Sequence, residues 1–106
     1  IMSVLETNPV YESIGASAYQ KEEEEAIKYL ESVKARASQE GLYYCETALH
    51  YGEEPYLLIV NEAAQKYVDM IIIGRRGRTG LMKVLMGQVA AKVVGHAPCK
   101  VLVVPS

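Results

Sequence analysis

The chain has 106 residues, half of them hydrophobic and 23% charged, with a formal net charge of −2. That length predicts one domain with a real apolar core, and the acidic balance argues against general nucleic-acid binding, which shows as a basic surplus. No run of about 18 apolar residues is present, so no membrane-spanning helix is expected.

Ile1 to Leu5 reads as a strand, broken by Asn8-Pro9. Val10 to Gln20 has no strong period and is expected to be a connector. Ile1 to Val10 also lacks the basic start and apolar run of an export signal, so Cys45 and Cys99 are read as reduced thiols in a cytoplasmic setting. Lys21 to Glu40 predicts a helix, because Ala26, Ile27, Leu30, Val33 and Ala37 recur at three- and four-residue steps. Glu22 to Glu25 then fall in its first turns, where negative charge suits the helix dipole, and read as a solvated helix start ahead of a metal or partner site. Gly41 ends the helix.

Leu42 to Leu49 is expected to be a strand from its β-propensity, with His50-Tyr51-Gly52 turning the chain. Pro55 suits a first helical position, and that helix is expected to reach about Tyr67 with Ile59, Val60, Ala63 and Ala64 inward. Met70 to Ile73 is a short apolar run ended by Gly74, which predicts a strand buried on both faces. Then Gly74, Gly77, Gly80 and Gly87 are interleaved with Arg75, Arg76, Arg78 and Lys83. A helix follows near Gln88, with Val89, Ala90, Val93 and Val94 on one face, stopped by Gly95 and Pro98. Val101 to Val104 is the last strand. The order β-α-β-α-β-loop-α-β predicts an α/β fold with a mainly parallel sheet.

The glycine loop is where chemistry is expected. Glycines let the backbone approach a ligand, a helix start offers unpaired N–H groups, and arginines add charged donors. Neither a Walker loop nor G-x-G-x-x-G occurs. The spacing is Gly74-x2-Gly77-x9-Gly87, flanked by Ile71-Ile72-Ile73 and closed by Ala97-Pro98-Cys99-Lys100-Val101-Leu102-Val103-Val104-Pro105. This combination resembles the universal stress protein family, whose nucleotide-binding members carry G-x2-G-x9-G followed by Ser or Thr.

The resemblance implies an open, mainly parallel, Rossmann-like sheet of the adenine nucleotide alpha hydrolase type, with helices on both faces. It also implies ATP or AMP binding in a stress response, with Mg²⁺ able to accompany the phosphates. The implied contact residues are Ile73 beside the adenine or ribose, Gly74, Gly77 and Gly87 in the phosphate loop, and Gln88 and Val89 at the helix start. Arg76 and Arg78 are the favoured clamps among Arg75, Arg76, Arg78 and Lys83; all four are equally readable as solvated loop charge. Gln88 is a departure, standing where the family pattern has a hydroxyl; its amide can donate but needs more room. Glu6 or Thr7 falls where the family places a small apolar residue by the adenine.

No segment matches the family's first strand and helix, including the Asp at that strand's end that meets adenosine. Residues ahead of Ile1 are therefore expected. The family also implies a homodimer through Val101 to Val104; the net charge and the lack of a long apolar run argue against a nucleic-acid or membrane partner. With no positioned general base visible, at most slow hydrolysis is expected. The rival reading is a family member without nucleotide binding that serves as a dimerisation and protein-interaction module. His50 and His96 have no metal-ligand spacing and read as exposed turn residues, while Cys45 and Cys99 read as core thiols in strands.

Overall fold

The computed structural model describes residues 1–6, 16–75 and 86–105. Among these described residues seven elements follow one another: β1 (Met2–Glu6), α1 (Ala16–Gln39), β2 (Ala48–Gly52), α2 (Pro55–Gln65), β3 (Met70–Gly74), α3 (Gln88–His96) and β4 (Lys100–Val104). The strands form two parallel pairs. Met2 to Glu6 lie in register with Ala48 to Gly52, and Met70 to Gly74 with Lys100 to Val104. Parallel pairing with a helix between paired strands makes this an α/β fold. The chain divides into two units, Ile1–Pro55 and Tyr56–Ser106.

In the first unit, α1 packs against β1 and β2. Ala26 and Leu30, four residues apart, are its buried contacts, while Ile27 is 41% exposed. The helix begins at Ala16, earlier than its apolar period suggests. Ala16, Ser17 and Ala18 show no hydrophobic stripe, yet alanine is the best helix former. Glu22 to Glu25 consequently lie beyond the first turn, where the dipole benefit has faded.

Gly41 does end α1, at φ +94°. Its N–H donates to the Ser38 carbonyl at 3.1 Å, and the Leu42 N–H to the Ala37 carbonyl at 2.8 Å. That is a helix stop that glycine makes without steric cost. The strand expected at Leu42 to Leu49 is displaced. Residues 42–47 belong to no ladder, and His50, Tyr51 and Gly52 are strand rather than turn. The register explains this: Met2 of β1 pairs with Ala48, so pairing starts there whatever the propensity upstream. Cys45 therefore lies outside a strand, as does Cys99; both are free and half-buried. His50 is half-buried within β2.

Pro55, the last residue of the first unit, does open α2, where its missing N–H costs nothing; the rest of α2 lies in the second unit. Ala63 is buried, Ile59 and Val60 half-buried, and Ala64 exposed. The helix ends at Gln65, and Tyr67 turns the chain at φ 51°. α3 packs on β4 and buries Ala90 and Val93. Val89 and Val94 are exposed instead of inward, since they flank the stripe that faces the strand. Gly95 does not stop α3, which runs to His96; the Ala97 N–H then caps it on the Val93 carbonyl at 2.8 Å.

β3 and β4 alternate in burial. Ile71, Ile73, Val101 and Val103 are half-buried, while Met70, Ile72, Leu102 and Val104 are exposed, Ile72 by 67%. The sequence predicts burial on both faces. A helix packed on a ladder shields only one side-chain set, because successive residues point to opposite faces.

Candidate functional site

The end of β3 and the start of α3 meet in the second unit. Gly74 pairs with Val104, and the next residue continues the contact: the Arg75 N–H donates to the Val104 carbonyl at 2.8 Å. The Arg75 carbonyl then accepts the Gly87 N–H at 2.7 Å. Residue 75 is thus held between the end of β4 and the residue preceding α3. Among the described residues, main-chain hydrogen bonds bring the two ends of the glycine segment together, and such bonds can form with any non-proline residue.

Gly87 is buried and extended, at φ −61° and ψ 154°, and it is the N-cap of α3. Its carbonyl accepts the first intrahelical bond, from the Ala91 N–H at 3.0 Å. Having no side chain, it makes no cap hydrogen bond. A helix start leaves its first N–H groups without intrahelical acceptors. Here those belong to Gln88, Val89 and Ala90, and they carry the positive end of the helix dipole. Gln88 itself is exposed, while Ala90 is buried.

One side chain adds to this. The Nε of Arg75 is buried and has no hydrogen-bond partner. Arg75 follows the end of β3 and is half-buried. Main-chain donors without acceptors and a cation with a buried orphan donor are chemically alike: both suit an oxygen-rich anion.

Of the residues singled out from sequence, Ile73, Gly74, Gly87, Gln88 and Val89 lie at this strand end and helix start. Ile73 is half-buried in register with Val103, and Val89 is 36% exposed, so it is not a core residue. Arg76, Gly77 and Arg78 lie outside the described residues, as does Thr7; Glu6 closes β1. Arg75 ranked behind Arg76 and Arg78 in the sequence. What marks it is its buried, unpartnered Nε, which the sequence does not show. Among the described residues no group of three or more His, Cys, Asp or Glu side chains could hold a metal ion. No helix there is long and apolar enough to cross a membrane.

A family model, the universal stress protein family, matches residues 1–105. The chain belongs to the universal stress protein family. Relatives agree: universal stress protein YxiE of Bacillus subtilis is 39% identical over 80 residues, covering 76% of this chain and 53% of its own length. Universal stress protein MJ0531 of Methanocaldococcus jannaschii is 40% identical over 81 residues, covering 76% of this chain and 46% of its own. The chain spans about half the length of the curated relatives it matches. The solved structure of hypothetical protein MJ0577 superposes with a TM-score of 0.84 at 29% identity, over 97% of this chain and 71% of that one. Universal stress protein membership and the Rossmann-like α/β fold thus rest on independent comparisons.

Proposed function

We propose that this universal stress protein domain binds an adenine nucleotide, ATP or AMP, with its phosphates at the start of α3. The observation that carries the reading is the Gly87 N-cap, whose lack of a side chain leaves the following amides uncapped beside Arg75. The residues present fit a phosphate chain. Gln88, Val89 and Ala90 supply main-chain N–H groups, Gln88 adds an exposed amide, and Arg75 adds a cation. Bound nucleotide would supply the phosphate oxygens that these donors lack. The proposed role is binding in a stress response rather than turnover, since no side chain at the described site is placed as a general base. Mg²⁺ would be held through the phosphates, with no dedicated carboxylate set.

Isothermal titration with ATP and AMP tests this: saturable heat is expected from at least one, and none from either contradicts it. A Gln88→Ser variant separates the reading from its rival, an interaction module that has lost the ligand. On the nucleotide reading the variant changes affinity by less than about tenfold, the scale of one hydrogen bond. On the rival reading only the variant binds.

The same proposal includes a homodimer formed through β4, whose Leu102 and Val104 are 50% and 42% exposed. Exposed apolar strands invite pairing with another chain.

A further inference from the structure

We propose that Tyr56 is a positioning residue: its ring fixes how α3 is rolled about its own axis, and so where the main-chain N–H groups of Gln88, Val89 and Ala90 lie. The consequence for binding rests on the nucleotide reading above, while the fixing of α3 does not.

Tyr56 is the second residue of α2 and is half-buried. Two side chains of α3 meet its ring. The Lys92 Nζ stands over it, 5.2 Å from the centroid, where the negative face of an aromatic ring attracts a cation. The His96 ring lies 5.1 Å away, centroid to centroid, and is tilted by 48°. Aromatic rings attract one another at that separation. His96 is itself oriented, because its Nδ1–H donates to the Lys92 carbonyl at 2.7 Å. Lys92 and His96 are one helical turn apart, so both contacts fall on one face of α3.

A different face of α3 is occupied by its own strand. Ala90 and Val93 are buried, and α3 packs on β4. At 3.6 residues per turn, the Ala90–Val93 face and the Lys92–His96 face are roughly 110° apart around the axis. A helix held along one face rolls on that contact, and an alanine with a valine gives shallow ridges to resist it. A second contact more than a quarter-turn away stops the roll.

Lys92 and His96 stand about 6 and 12 Å along the axis beyond Gln88. Tyr56 therefore grips the far half of α3 and reaches the helix start through the helix itself.

The test compares Tyr56→Leu, which keeps apolar bulk, with Tyr56→Phe, which keeps the ring. Each is studied in the whole chain by amide NMR without ligand and by titration with ATP and adenosine. Tyr56→Leu is expected to move the Gln88, Val89 and Ala90 amide resonances of the ligand-free protein and to weaken ATP binding about three- to tenfold. Adenosine, which has no phosphate, should change by less than about twofold. Tyr56→Phe should keep those resonances and ATP affinity within about twofold of native. Unmoved resonances in Tyr56→Leu would overturn the proposal, whatever the ATP affinity. Equal losses for ATP and adenosine, with no rescue by Tyr56→Phe, would also overturn it, since that is the mark of general destabilisation. If the native chain binds no nucleotide, the nucleotide reading falls, and the ligand-free spectra alone decide the role of Tyr56. Should Tyr56→Leu not fold, Lys92→Gln combined with His96→Gln removes the same contacts from exposed positions of α3, with the same expectations.

Discussion

Gly41 and Gly95 show how the same residue type does opposite work. Gly41 sits at φ +94°, a conformation that strains any residue with a Cβ, and it closes α1 through bonds to the preceding turn. Gly95 lies inside α3, where an added Cβ would meet nothing within 4 Å. Gly41→Ala is therefore expected to destabilise by about 1 kcal/mol or more, and Gly95→Ala to stabilise by about 0.5–1 kcal/mol. Urea unfolding of the two variants checks the opposite signs. Gln88 is the third residue on which the account turns. It is exposed at the position where the family pattern has a hydroxyl.

At the scale of elements, α1 gives the sharpest contrast between neighbouring positions. Leu30 is 4% exposed and Ile27 is 41% exposed on one helix. Leu30→Ala should cost about 2–5 kcal/mol and Ile27→Ala less than half as much, read from denaturant midpoints. Equal losses would mean that α1 packs on a different face. Elements governed by local chemistry were legible in the sequence: Pro55 opening α2, Gly41 closing α1, and the start of α3 after Gly87. Elements governed by pairing were not. Leu42, Tyr43 and Tyr44 favour strand, yet β2 begins at Ala48, where β1 supplies a partner. The beginning of α1 was hidden because small residues at positions 16–18 carry propensity without a hydrophobic period. At the site, Gly74, Gly87 and Gln88 were legible from spacing. Arg75 was not singled out, since the burial of its Nε is visible only in the structure.

At the scale of the molecule, five hydrophobic residues are buried among those described, and three of them are alanines. Parallel sheets are ordinarily covered on both faces, yet Met70, Ile72, Leu102 and Val104 remain exposed. The proposed pairing through β4 belongs at this scale. Static light scattering is expected to give the mass of a dimer, and Leu102→Lys to shift it to the monomer, because a buried lysine would need a partner. A native protein that stays monomeric would remove the dimer from the account and leave the α3 site untouched.

The direct measurement is amide NMR of the isotope-labelled chain during titration with ATP and, separately, adenosine. Convergence of main-chain donors on phosphate predicts that the Gln88, Val89 and Ala90 amide resonances move with ATP and hold still with adenosine. ATP binding that leaves those three resonances unmoved would contradict it.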